Sequence, residues 1–229
     1  MSEVAFFITG MGRSGTKWLS YVLDYDPAIK VHHEPVKRDP TNYDLVRRDK
    51  DYSGEKYLRW RAGEMVPPEG QRWAEVNSYL RYLVPDLRRV FPGVPIAGLV
   101  RDPRKTVRSL VARGIYSNPD YPFLRPPEEL DTQFARCCWY WADTYELLLE
   151  WEVPIFRLED LNDALSPAFQ ELCEMIGASV PSRALNKYRG MPINASFRPE
   201  IPLGFTEEEE RTFIAIAGKI SERLGYGKG

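Results

Sequence analysis

Apolar and polar positions fall in blocks along this chain, and the blocks change period. Residues 4–9 (Val-Ala-Phe-Phe-Ile-Thr) form a short apolar run rich in β-branched and aromatic residues, which predicts a buried strand. Residues 10–16 (Gly-Met-Gly-Arg-Ser-Gly-Thr) interrupt it, and apolar residues at 18, 19, 22 and 23 then take up helical spacing. Asp26-Pro27 marks a turn, and residues 29–33 predict a second strand ending at Glu34-Pro35. Residues 73–78 read as a third strand, and apolar positions 80, 83, 84, 87 and 91 predict one helix over 79–91, stopped by Pro92-Gly93. Residues 94–100 are the next apolar strand. Asp102 then suits an N-cap and Pro103 a first helical residue, with Val107, Leu110 and Val111 on the buried face. Further on the pattern predicts a long helix over 128–151, a strand over 153–158, and helices over 167–176 and 181–188. Residues 191–203 carry three prolines and no clear element. Thr206 and Glu209 form a capping box ahead of a last helix that closes at Gly225.

Strands that alternate with helices four or more times predict an α/β fold of three layers, α/β/α, with a mostly parallel central sheet of four or five strands. The length of 229 residues suits a single domain over 1–229. Two connections are long for such a domain: 36–72, with a helix expected over 57–65, and 114–127, with four prolines. Both are expected to be lid or substrate-wall loops, 114–127 an irregular one, and for 36–72 a solvated charged surface is the alternative.

Composition narrows the class. Apolar residues at 43% can build a core, and a net charge of −2 argues against a protein whose main task is gripping nucleic acid. Three cysteines make no disulfide framework and show no zinc spacing, so a reducing compartment is expected. The chain shows neither a basic signal-peptide start nor an apolar span of about 18 residues, so a cytoplasmic protein without a membrane span is expected.

The chemistry gathers behind the strands. A strand, a glycine-rich turn and a helix present backbone N–H groups and a positive helix end to an anion. The nucleotide-binding pattern that ends in Gly-Lys-Ser/Thr is not met: Gly10 and Gly15 have the right separation, but Thr16-Lys17 follows, and the usual magnesium-holding hydroxyl is missing. The loop is P-loop-like, a phosphate-type cradle without the magnesium site. His33 and Glu34 stand at a strand's carboxyl end, where open α/β sheets bind ligands, and either suits a general base. Arg101 sits at another strand tip, within the most cationic segment of the chain (Arg101, Arg104, Lys105, Arg108, Arg113). Glu159 and Asp160 follow the last strand. The aromatic run Trp139, Tyr140, Trp141 reads as core.

Together these segments resemble the sulfotransferases that use 3′-phosphoadenosine 5′-phosphosulfate (PAPS). That family carries a Lys/Arg-Ser-Gly-Thr-Thr loop after its first strand, here Arg13-Ser14-Gly15-Thr16, and an Arg with a Ser eight residues on, here Arg101 and Ser109. Its Arg-Tyr-Glu-Asp-Leu segment is matched by residues 157–161 (Arg-Leu-Glu-Asp-Leu), and its basic, Gly-ended loop by Lys187, Arg189 and Gly190. The spacing from the loop to His33-Glu34 is closest to the tyrosylprotein and carbohydrate branches, whose base is a Glu just past the second strand. The resemblance implies sulfuryl transfer from PAPS to an acceptor hydroxyl or amine, leaving 3′,5′-adenosine bisphosphate (PAP), with no metal. It implies Arg13 at the transferring group, and Gly12, Ser14, Gly15 and Thr16 at the 5′-phosphate with Lys17 in place of the second Thr. It further implies Arg101, Ser109, Lys187, Arg189 and Gly190 at the 3′-phosphate. Trp18 would stack on adenine, or else be core. Glu34, His33 or Glu75 would be the base, Glu75 because the family's Lys-Thr-His segment is replaced by residues 75–78 (Glu-Val-Asn-Ser). The acceptor would be a small molecule, carbohydrate or peptide, and a homodimer is allowed. A small-molecule kinase and a non-catalytic PAP- or nucleotide-binding module are the alternatives.

Overall fold

The structure is a computed structural model that describes residues 3–42, 45–117, 124–163, 165–189, 191 and 204–227. In chain order it runs β1 (Val4–Gly10), α1 (Thr16–Leu23), β2 (Ile29–His33), α2 (Asp39–Asn42), α3 (Leu45–Arg48), α4 (Gly54–Gly63) and β3 (Arg72–Val76). A 3-10 helix (Ser78–Leu83) leads into α5 (Val84–Val90), then β4 (Ile96–Val100), α6 (Pro103–Ala112), α7 (Gln133–Glu150) and β5 (Ile155–Arg157). A second 3-10 turn (Leu158–Leu161) precedes α8 (Pro167–Ile176), α9 (Ser182–Tyr188) and α10 (Glu207–Arg223).

The five strands form one parallel sheet in the order β2-β3-β1-β4-β5. Its strands alternate between two cores. Phe7 and Trp73 face the side covered by α4 to α7 and α10, while Phe6, Ile8, Ala74 and Val76 face α1, α8 and α9. Burial on both faces explains the near-continuous apolar strands, and this is the three-layer α/β architecture expected from the sequence.

The expected helix over 79–91 is two elements. Pro85 has no N–H to donate, so the chain closes a 3-10 helix and restarts at Val84 with the proline in the first turn. The helix expected over 57–65 starts earlier, because the Ser53 hydroxyl caps it by accepting from Lys56 N. The long helix starts at Gln133, capped by Thr132. The capping box at Thr206 and Glu209 is present.

Strand order sets the place of the site. From β1 the chain moves through α1 toward β2 and β3; from β4 it moves the other way toward β5. The connections leaving the adjacent strands β1 and β4 therefore diverge to opposite faces, and a crevice opens at their carboxyl ends.

Candidate functional site

A cleft of about 690 Å³ lies at that crevice. Its lining includes Gly12, Arg13, Gly15, Thr16, Lys17 and Trp18 from the first loop and helix, and His33 and Glu34 from the tip of β2. Arg101 and Lys105 enter after β4, and Glu159 after β5.

The loop is shaped by three different demands. Gly10 lies against β4, where an added Cβ would stand 2.2 Å from the Leu99 carbonyl oxygen. Gly15 is left-handed (φ 95°), and its added Cβ would meet the Leu158 side chain at 2.7 Å. At Gly12 the nearest atom to such a Cβ is Ser78 Oγ at 3.8 Å, so the backbone there is open to the cleft. The loop closes on itself, with Ser14 N and Oγ donating to the Met11 carbonyl at 3.2 and 2.6 Å. It is propped from below by Tyr145, whose hydroxyl accepts from Met11 N and donates to the Leu99 carbonyl. No side chain caps α1, so its first turn offers backbone N–H groups to an anion.

Arg13 adopts φ 77°, a backbone conformation rare outside glycine. Its Nε donates to Ser109 Oγ at 2.9 Å, and Arg101 Nη1 donates to its carbonyl at 3.4 Å. The structure thus brings Arg13, Arg101 and Ser109 together across 96 residues of chain. Burial, with Arg113 and Arg101 nearby, pushes the Arg13 guanidinium down to about 10, which leaves it charged at neutral pH.

On the opposite wall Glu34 also has positive φ (47°). Its Oε1 accepts from the Ser78 hydroxyl at 2.6 Å. His33 stands between the two halves, its Nε2 3.2 Å from Thr16 Oγ1 and 3.9 Å from Glu34 Oε1. Burial lowers the His33 pKa, with Glu34 opposing and Lys17 adding to the shift, so the ring is neutral near pH 7.

Other expected site residues lie elsewhere. Glu75 is fully buried on the interior strand β3, its Oε1 and Oε2 accepting from Arg61 and its Oε2 also from Asn77. It does not reach the cleft, so it drops out as a base. Lys187 is exposed and donates to Tyr25 Oη, and Arg189 reaches Asp163 at 3.7 Å; neither lines the cleft. Gly190 lies outside the described residues. Trp18 is buried in the core beside α9, its indole N–H donating to the Tyr188 carbonyl, while its edge lines the cleft. The Lys17 ammonium lies 5.9 Å over the Tyr21 ring at the cleft mouth.

No described residue of 36–72 lines this cleft. Residues 46–47 and 50–55 of that connection border a separate hollow with Arg89 and Trp151. From 114–127 Ile115 lines the cleft, and 118–123 lie outside the described residues.

Sequence reasoning did not assign Ser78, Tyr79, Arg81 and Tyr140 to the wall. The first three belong to the 3-10 helix after β3, and their position behind a strand tip is the signal that could have found them. Arg81 is 3% exposed, clasped between the Tyr82 and Tyr140 rings, and donates to the Ser78 carbonyl and Tyr140 hydroxyl. Tyr140, expected as core, is both core and wall.

The Arg-Leu-Glu-Asp-Leu segment ties the structure together. Glu159 accepts from Asp102 N at 2.9 Å and from the Tyr226 hydroxyl at 2.6 Å, while Arg157 lies 4.3 Å over the Tyr226 ring and donates to the Gly225 carbonyl. The tips of β4 and β5 and the end of α10 are thereby locked together.

No family model and no curated protein sequence matches the chain. Solved structures do. The sulfotransferase domain of a Synechococcus olefin synthase superposes with a TM-score of 0.60 at 13% identity, covering 100% of this chain and 98% of that one. A sulfotransferase from Alicyclobacillus acidocaldarius gives 0.58 at 15%, with the same coverage of 100% and 98%. A mouse sulfotransferase in complex with PAP gives 0.56 at 16%, covering 98% and 86%. The fold of this chain is the sulfotransferase fold. Among the described residues no helix is long and apolar enough to cross a membrane.

Proposed function

We propose that this chain is a sulfotransferase that moves a sulfuryl group from PAPS to an acceptor hydroxyl or amine, with PAP as the second product. The observation that carries the reading is the meeting of Arg13, Arg101 and Ser109 at the β1/β4 crevice, with the Glu34 carboxylate on the facing wall. The residues fit a nucleotide with phosphates at both ends. The open backbone at Gly12 and the uncapped first turn of α1 suit a 5′-phosphate, and Arg101 a 3′-phosphate. The PAP complex of the mouse protein, which shares the fold, supports the same donor here.

PAPS supplies an activated sulfuryl group whose bridging oxygen gains negative charge as it leaves. Arg13 stabilises that oxygen, because a fixed guanidinium fork in a partly buried site acts where the charge develops. The N–H groups of Gly15 and Thr16, at the uncapped start of α1, hold the 5′-phosphate. Glu34 takes the acceptor proton. The reading calls for no metal, since a sulfuryl group carries less charge than a phosphoryl group. The acceptor is a small molecule, sugar or peptide that enters past Tyr79 and Tyr140.

Calorimetric titration with PAP, 5′-AMP and Mg-ATP tests the donor. PAP should bind at least tenfold tighter than 5′-AMP, and Arg101→Ala should abolish that preference, the loss of a charge-assisted contact of about 1.5–3 kcal/mol. Mg-ATP binding as tightly as PAP overturns the reading in favour of a kinase. PAP binding without turnover across a hydroxyl and amine panel would leave a binding module.

A further inference from the structure

We propose that Ser78 is the positioning residue for Glu34, and that the buried charged cluster behind β3 serves to hold Ser78 in place. This rests on Glu34 being the base in the reading above.

Glu34 needs an external hold. It adopts φ 47° and is followed by Pro35. A left-handed backbone is costly for a non-glycine residue. Such conformations persist where the surroundings over-determine them. Among the described residues the hydrogen bond to its carboxylate comes from Ser78 Oγ, at 2.6 Å. That bond engages Oε1 and leaves Oε2 to accept a proton from the acceptor hydroxyl.

Ser78 in turn is fixed by its neighbour. Every polar atom of Asn77 is engaged. Its N–H donates to the Ile8 carbonyl, its own carbonyl accepts from the Thr9 hydroxyl, and its Oδ1 caps the 3-10 helix by accepting from Tyr79 N. Its Nδ2 donates to Asp39 Oδ2 at 2.8 Å and Glu75 Oε2 at 3.1 Å. Arg61 bridges those two carboxylates, donating to Asp39 from Nε and Nη2 and to Glu75 from Nη1 and Nη2, and the Tyr57 hydroxyl also donates to Asp39. All four core members, Asp39, Arg61, Glu75 and Asn77, are buried. The cluster connects to the cleft through Asn77 and the helix that starts at Ser78. Asn77 thus anchors the backbone from which Ser78 extends, and the Ser78 hydroxyl donates to one oxygen of Glu34.

The test uses the full chain with PAPS and water as the acceptor, following PAP release in wild type, Glu34→Gln, Ser78→Ala and Ser78→Thr. PAP affinity, thermal stability and a crystal structure of each variant accompany the rates. Ser78→Ala is expected to lower turnover roughly tenfold to a hundredfold, the usual cost of a misplaced reacting group or lost supporting bond. Its PAP affinity should stay within about twofold of wild type, and Ser78→Thr should restore the rate to within about threefold, since Thr keeps the hydroxyl donor that Ala lacks. In the crystal structure of Ser78→Ala the Glu34 carboxylate should leave its wild-type position. Wild-type turnover by Ser78→Ala beside a crippled Glu34→Gln overturns the proposal and leaves the base assignment standing. Wild-type turnover by Glu34→Gln overturns the base assignment itself. A Glu34 carboxylate unmoved in Ser78→Ala overturns the positioning role whatever the rates.

Discussion

At the residue scale, Gly10, Gly12 and Gly15 look alike in the sequence and do different work. Gly10 lets β1 approach β4, because any Cβ would collide with the Leu99 carbonyl. Gly15 supplies a left-handed turn against Leu158. Gly12 answers to neither demand, since an added Cβ there would meet nothing nearer than Ser78 Oγ at 3.8 Å. Gly15→Ala should therefore lose about 1–3 kcal/mol in a urea melt from its backbone alone. Gly12→Ala should stay within about 0.5 kcal/mol of wild type, as an open position does, yet weaken PAP binding in the titration. Equal loss of stability in the two variants would show that Gly12 is needed for the fold. The same limit on reading applies to Trp18. Its spacing announced a buried helical face, but whether its edge also met a cleft depended on α9, 170 residues away in the chain.

At the element scale, helix and strand boundaries followed local signals where one signal dominated. Residues 29–33 and 167–176 are a strand and a helix with the expected bounds, and Asp102 caps α6 as expected, accepting from Arg104 N and Lys105 N. The 79–91 segment broke because the backbone chemistry of Pro85 outweighed a helical apolar pattern. Glu75 shows the other kind of failure. Its place in the segment that replaces the family's Lys-Thr-His suggested a base, and nothing local revealed that Arg61 on α4 would claim it. Removing that partner strands two buried carboxylates, so Arg61→Met should destabilise the chain by about 3–5 kcal/mol. Thermal unfolding checks this, and a change below about 1 kcal/mol would show that the cluster contributes little. The pairs Arg104–Glu210 and Arg108–Glu209 clamp α10 onto α6. They account for two of the cations in the most basic segment, which in the sequence could equally have been ligand contacts.

At the scale of the whole molecule, stability should depend on pH in two steps. Burial lowers the pKa of both His32 and His33 below the ordinary 6.5. The unfolded chain then binds protons before the folded one, so stability is full above about pH 6.5 and falls as pH drops toward the lower folded values. Glu209 acts in a lower window. Its hydrogen bonds from Arg108 hold its carboxyl below the ordinary 4.5, so its contribution is present above that value and lost as pH falls through the folded one. Urea midpoints measured from about pH 8 to about pH 3 should fall in both windows. His32→Gln should flatten part of the first step and Glu209→Gln the second. A midpoint constant between about pH 7 and about pH 5 would contradict the histidine assignment.

The sequence by itself determined the alternation of strands and helices, the glycine-rich loop between β1 and α1, and the placing of polar residues behind strand tips. Those features follow from short-range causes: hydrophobic period, capping hydroxyls, and the freedom of glycine against the constraint of proline. Only the tertiary structure decided which strand tips are neighbours. The order β2-β3-β1-β4-β5 sets Arg13 beside Arg101 and Ser109, turns Glu34 toward Ser78, and sinks Glu75 against Arg61. It also leaves Lys187 and Arg189 outside the cleft and the described residues of the 36–72 connection off its wall. Such pairings depend on register and crossover direction between segments far apart in the chain, which local residue patterns do not encode.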